Sequence, residues 1–182
     1  MAFFQRIRQL FRAAPAPKPF EPQVESTDRR SKGRRNALPG TRILIIDDSA
    51  TIVALLRRML RQNEYETLEA GDAELGVEIA RSERPDLIFL DIVLPGMNGF
   101  SALRLLRRDP LTKDIPIIMI SGNEQATEEF YVHRIGADDF MKKPFSRAEV
   151  FARIERLLDD RSVPRRVTAL AAGGDPVENE VA

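Results

Sequence analysis

With 182 residues, 43% of them hydrophobic and 31% charged, the chain can bury the core of one ordinary domain and still carry extra segments. It contains no cysteine, which excludes a disulfide framework and a thiolate metal site. Its zero net charge conceals a split: residues 1–40 hold 9 Lys and Arg against 3 Asp and Glu, and the remainder holds 19 against 25, so a basic head precedes an acidic body.

The head opens with "MAFFQRIRQLFRAA". Phe3, Phe4, Ile7, Leu10 and Phe11 recur at helical spacing, with Arg6, Arg8 and Arg12 mainly off that stripe, so residues 1–14 are expected to form a basic amphipathic helix. A membrane interface, a partner protein or the chain's own domain would each cover such a stripe. Residues 15–40 are expected to be a disordered linker, first proline-rich in "PAPKPFEPQ" and then polar and basic in "STDRRSKGRRNALPG". No apolar run approaches the roughly 18 residues of a membrane span. The N-terminus also lacks a signal peptide's apolar stretch and cleavage site. The expected location is the cytoplasm, with a peripheral position at the inner membrane as the alternative.

From Thr41 strand and helix signals alternate. "RILII" is a buried-strand run, and Ser49 stands where it could N-cap a helix with Ile52, Leu55, Leu56, Met59 and Leu60 on one face. "YETLEA" alternates like an edge strand, and "DAELGVEIARSE" reads as a helix capped by Asp72. "DLIFL" and "IPIIMI" are the third and fourth strands, separated by the helix "NGFSALRLLRRD". A helix over "NEQATEEFYVHRIG", a short strand "DDFMK" and a closing helix "SRAEVFARIERLLDD" complete a domain over residues 41–160, followed by a tail, 161–182, expected to be disordered. Five strand-then-helix units predict an α/β fold: a five-stranded parallel sheet, doubly wound with helices on both faces, in which strand two is an edge.

Ligands of such sheets bind at the carboxyl ends of the strands. Those ends carry Asp47 and Asp48 after the first strand, Asp91 after the third, Ser121 and Gly122 after the fourth, and Lys142, Lys143 and Pro144 after the fifth. Three carboxylates, a hydroxyl and an ammonium therefore converge on one edge. Clustered carboxylates form a hard oxygen site suited to Mg2+, with Mn2+ as an alternative ion. An Asp carboxylate can also attack phosphorus to give an aspartyl phosphate, with Mg2+ and a Lys neutralising the transferring group.

Together "LIIDDSAT", "FLDIVLPGMNGF", "IMISGNE" and "FMKKPF" resemble the receiver domain of bacterial two-component response regulators, of the stand-alone kind found in chemotaxis and pilus motility. The resemblance spans residues 42 to about 160 and implies a flavodoxin-like sheet of order 2-1-3-4-5. It implies that Asp91 is the phosphoacceptor, and that Asp47, Asp48, Asp91 and the Val93 backbone carbonyl hold Mg2+. Ser121 would be the switch hydroxyl, Lys143 the phosphate-pairing lysine, Phe140 the switch aromatic, and Lys143–Pro144 a cis peptide. The phosphoryl donor would be a histidine kinase or phosphotransfer protein. An effector protein would bind the face made by the fourth helix, fifth strand and fifth helix. The chain would be no enzyme beyond its own phosphoryl transfer and dephosphorylation. Val93 and Asn123 occupy positions that tune water attack, and apolar Val93 cannot orient a water, so slow self-dephosphorylation is expected.

Blander readings hold elsewhere. Asp138 and Asp139 open a strand and are expected to be solvated, as is Lys142. His133, the only histidine, reads as a surface residue, and Phe130 and Tyr131 as packing residues. "RRSKGRR" lacks interleaved aromatics and reads as a solvated linker rather than a nucleic-acid site. No output domain is expected after Asp160, so specific DNA binding is not. A haloacid-dehalogenase-type phosphatase would place an Asp-x-Asp nucleophile on the first strand, which Asp47-Asp48 does not match. A phosphorylation-independent adaptor acting through its N-terminal extension is the alternative function.

Overall fold

The computed structural model describes residues 35–122 and 136–166. The chain divides into two units, residues 1–33 and 34–182, and the described residues all belong to the second. The expectations for residues 1–34, for the helix ending at Gly136 with Asn123, Phe130, Tyr131 and His133, and for residues 167–182 lie outside the described residues.

The apolar runs become strands of four or five residues: β1 (Arg42–Ile46), β2 (Glu66–Ala70), β3 (Leu87–Asp91), β4 (Ile117–Ser121) and β5 (Asp139–Lys142). The described helices are α1 (Ala50–Arg61), α2 (Ala73–Glu83), α3 (Gly99–Arg108) and α4 (Arg147–Arg156). All strand pairs are parallel and the order is β2-β1-β3-β4-β5. Half-polar β2 takes the edge, as its alternation predicts, and β3 and β4 are buried along their whole length.

Successive side chains on a strand point to opposite faces, and here that splits the core in two. Ile43, Ile45, Leu87, Phe89, Ile118, Ile120 and Met141 face one cluster, closed by Leu56 and Leu60 of α1 and by Val150, Phe151 and Ile154 of α4. Leu44, Ile46, Ile88, Leu90, Ile117 and Met119 face the other, closed by Val77 of α2 and by Leu103 and Leu106 of α3. Each large side chain so covered stabilises the fold by roughly 1.5–3 kcal/mol relative to exposure. Leu55, placed by periodicity on the inner face of α1, is 38% exposed instead, because Leu56 and Leu60 already fill the contact with the sheet.

Helix starts follow the sequence at three of four positions. Asp72, Asn98 and Ser146 accept from the backbone N–H groups of Leu75, Ser101 and Glu149. Ser49 stands at the N-cap of α1 but makes no side-chain cap.

Packing extends past both expected edges, Thr41 and Asp160. Ala37 is buried, and its N–H donates to the Tyr65 hydroxyl at 2.9 Å. Leu158 and Pro164 form an antiparallel bridge, and the Leu38 N–H donates to the Ser162 carbonyl at 3.3 Å. Arg35 reinforces this clasp, donating from its backbone to Glu155 and from its guanidinium to the Asp159 carbonyl. Residues 35–40 and 161–166 therefore belong to the fold, although their composition reads as linker and tail.

Asp138 and Asp139 are both buried, not solvated. Asp138 accepts from Arg107 at 2.6 Å, from Arg166 at 3.2 Å and from the Ile117 N–H at 2.9 Å. Asp139 pairs with Arg153 at 2.9 Å. These carboxylates are tolerated inside because arginines distant in sequence meet them there.

Candidate functional site

Four of the five strands, β1, β3, β4 and β5, deliver polar groups at their carboxyl ends. Asp47 directly follows β1, its N–H continuing the ladder to the Ala70 carbonyl at 3.1 Å. Its side chain is 1% exposed, and its Oδ1 accepts from the Ser49 N–H at 2.9 Å, which fixes the turn into α1. Asp48 is exposed beside it. Asp91 is the last residue of β3 and 3% exposed, and its Oδ1 accepts from the Val93 N–H at 3.3 Å. Ser121 ends β4, fully buried and one residue beyond the Asp91–Ile120 register pair.

Lys143 follows β5, two strand spacings from β3, about 10 Å away. Its N–H donates to the Ser121 carbonyl at 2.7 Å, and the Lys143–Pro144 peptide is cis, as the resemblance implied. The ammonium crosses the end of β4, where Gly122 puts no side chain in its path. It reaches Asp91 Oδ2 at 2.7 Å and Asp47 Oδ2 at 2.8 Å. The contact with Asp91 is a directed hydrogen bond. Asp47 Oδ2 lies at ion-pairing distance without a bond of hydrogen-bond geometry, so its lone pairs remain available.

Burial pushes the Asp91 carboxyl above the ordinary Asp range; Lys143 opposes this and Asp47 reinforces it. Burial by itself would lower the Lys143 ammonium, but the two close carboxylates of Asp47 and Asp91 outweigh it and hold its pKa above the ordinary Lys range. Asp91 therefore favours a resident proton or a neighbouring cation.

Asp47, Asp48 and Asp91 each offer a carboxylate oxygen, and these atoms lie within 4.8 Å of one another. A donor set of hard oxygens including the underused Asp47 Oδ2 fits a small divalent cation that keeps several waters, as Mg2+ does. Among the described residues no other group of His, Cys, Asp and Glu is so arranged.

The structure thus brings together Asp47, Asp48, Asp91 and Lys143, with Ser121 on the adjoining strand end. Val93 sits at the rim with its side chain 65% exposed. Phe140, three residues before Lys143, points away into the core on the α2–α3 side and is 8% exposed. Lys142 is exposed, as expected.

Two residues that sequence reasoning did not single out shape the loop after Asp91. A Cβ on Gly99 would stand 2.0 Å from the Asp91 carbonyl oxygen, so only glycine lets the start of α3 close over that strand end. Glu74, on the first turn of α2, accepts from the Met97 N–H at 3.3 Å. Gly99 carried a signal in its place within "PGMNG", whereas Glu74 carried none beyond its position near a helix start.

Comparison with known proteins agrees with this geometry. The family model described as the response regulator receiver domain matches residues 43–155. The protein PilH of Pseudomonas aeruginosa is 39% identical over 117 residues, covering 64% of this chain and 97% of PilH. The phosphate regulon transcriptional regulatory protein PhoB of the same organism is 37% identical over 145 residues, covering 78% of this chain and 63% of PhoB, so the chain spans less than two thirds of that regulator. Among solved structures, the receiver domain of the sensor histidine kinase PA1611 of P. aeruginosa, with magnesium coordinated in its active site cleft, superposes with a TM-score of 0.59 at 31% identity, covering 64% of this chain and 95% of that one.

Proposed function

This chain belongs to the response regulator receiver domain family, and on that premise we propose that it is a phosphorylation-dependent signalling protein whose phosphoacceptor is Asp91. The observation that carries the proposal is the buried Asp91 carboxylate, held 2.7 Å from the Lys143 ammonium and clustered with Asp47 and Asp48 at the carboxyl edge of the sheet.

In this reading a histidine kinase or phosphotransfer protein presents a phosphohistidine to the edge. An Asp91 carboxylate oxygen attacks phosphorus, the new O–P bond forms as the P–N bond breaks, and the imidazole leaves with that bond's electrons. Asp47, Asp48, Asp91 and the Val93 carbonyl would hold Mg2+, or Mn2+ in its place. The ion supplies charge neutralisation on the phosphoryl oxygens. Lys143 neutralises a further oxygen and keeps Asp91 oriented, so the chain's contribution is positioning and electrostatics. The Ser121 hydroxyl binds the arriving phosphoryl group, and Phe140 adjusts its packing in response. The signal is read by a protein partner on the face that β5 and α4 present.

The test is incubation of the full chain with Mg2+ and acetyl phosphate, or with beryllofluoride, beside Asp91→Asn. A mass increase of one phosphate, or Mg2+-dependent beryllofluoride binding, lost in the variant, is the expected result. A folded, Mg2+-binding chain that takes up neither ligand overturns phosphoacceptance by small donors. If a cognate kinase also fails to label it, the adaptor function replaces this one.

A further inference from the structure

We propose that Glu74 is a positioning residue for the phosphoacceptor loop, fixing the backbone of Gly96 and Met97 and, through it, the Val93 end that lies against Asp91. The inference rests on the receiver reading above and adds a residue to its machinery.

Residues 92–98 leave β3 at Asp91 and return at the N-cap of α3. Both ends are tied by backbone: the Ile92 N–H donates to the Ile120 carbonyl at 2.9 Å, and the Gly99 N–H to the Ile92 carbonyl at 3.0 Å. The middle is held differently. Its backbone turns at Gly96, whose φ of +70° is a left-handed conformation open to glycine at little cost. The Glu74 carboxylate lies against that turn: Oε1 is 3.3 Å from the place a Gly96 Cβ would take, and it accepts from the Met97 N–H. A carboxylate acceptor makes such a bond roughly twice as strong as a neutral one. A negative side chain on the first turn of α2 is also favoured by the helix dipole, so the anchor is itself well placed.

The consequence runs along four residues. Val93, which donates to Asp91 Oδ1 and whose carbonyl is a proposed ion ligand, has an exposed side chain and gains no orientation from packing of its own. Leu94 is buried in the core and Met97 packs against it, which keeps the loop attached when Glu74 is lost and leaves the turn between them free to shift. Catalytic positioning is sensitive to such shifts, since reacting groups must hold their geometry to within fractions of an ångström. Removing Glu74 therefore loosens the reacting edge without unfolding the domain.

The experiment compares Glu74→Ala and Glu74→Gln with the parent, using the full chain. Three quantities are read: amide hydrogen exchange at Met97 in metal-free protein, the Mg2+ concentration at half-saturation by NMR titration of backbone amides, and the rate of labelling by acetyl phosphate. Glu74→Ala is expected to speed Met97 exchange and to raise the Mg2+ half-saturation and lower the labelling rate by about tenfold each, near 1.4 kcal/mol. Glu74→Gln, whose amide oxygen accepts the same bond, restores all three to within about threefold of the parent. Unchanged exchange and unchanged Mg2+ dependence in Glu74→Ala overturn the proposal, as does a Gln variant as impaired as the Ala variant. A parent that is never labelled sinks the receiver chemistry instead, while the exchange comparison still decides whether Glu74 holds the loop.

Discussion

Lys143 donates a 2.7 Å hydrogen bond to Asp91 across 52 residues of sequence, joining the ends of β5 and β3 over the intervening β4. The ammonium is shared with Asp47 at 2.8 Å, so one cation faces two buried carboxylates that repel each other. This arrangement is incompletely neutralised, and its stability should respond to pH, metal and charge removal.

Burial holds the folded-state pKa of Asp91 above its ordinary value. Ionised Asp91 therefore opposes folding, and that opposition vanishes as pH falls through the folded-state pKa, where the fold binds the proton more readily than the unfolded chain. Asp91→Asn should raise the melting temperature of chelator-treated protein at neutral pH. The gap between variant and parent should close as the pH is lowered past the Asp range, and saturating Mg2+ should shrink it at neutral pH by stabilising the parent. Equal melting curves at neutral pH would show that Lys143 already offsets the burial.

The exposed side chain of Val93 stands beside Asp91, the proposed phosphoacceptor, with no group that can orient water. Val93→Asn should shorten the lifetime of the labelled chain by about tenfold, which corresponds to roughly 1.4 kcal/mol in the hydrolysis barrier. Following loss of label after removal of the donor measures this directly, and an unchanged lifetime refutes it.

Gly99→Ala should damage stability and chemistry together. The new Cβ meets a backbone oxygen at 2.0 Å, which no side-chain rotation relieves, so α3 must shift away from Asp91. Overpacking of this kind costs roughly 1–3 kcal/mol in denaturant titrations. Labelling should fall with it, even under conditions where the variant remains folded.

Asp138 is buried against two arginines, and burial lowers Arg107 to about 10 with Asp138 opposing the shift, so the guanidinium stays charged at neutral pH. Asp138→Ala strands that charge and should cost about 3–5 kcal/mol by denaturant unfolding. Truncation after Asp160 removes Arg166 and the Leu158–Pro164 bridge but leaves the Arg107 pair, and should cost less, about 1–3 kcal/mol.

The sheet and the side chains gathered along its carboxyl edge were legible because apolar runs such as "RILII" and "DLIFL" stop at polar residues, and strand ends in a parallel sheet must share an edge. What was not legible depended on partners far away in sequence. Asp138 and Asp139 look like a solvated pair until Arg107, Arg166 and Arg153 are seen to meet them. Residues 35–40 and 161–166 have linker composition because their contribution comes largely through backbone hydrogen bonds, which leave little trace in side-chain type. Ser49 misled in the opposite sense: a good capping residue at a helix start, it makes no side-chain cap, and its own N–H donates to Asp47.

The clasp between Leu38 and Ser162 has a consequence for how this domain tolerates rearrangement. The first and last described stretches stand one hydrogen bond apart, at the amino end of β1, a strand's length of about 17 Å from the carboxyl edge of the sheet. A short peptide could splice residue 166 to residue 35, with fresh termini opened in the exposed turn around Leu111. Such a circular permutant keeps every strand neighbour. Its new ends would lie at the amino side of the sheet, so a permutant of this kind should still hold Asp47, Asp48, Asp91 and Lys143 together at the opposite edge.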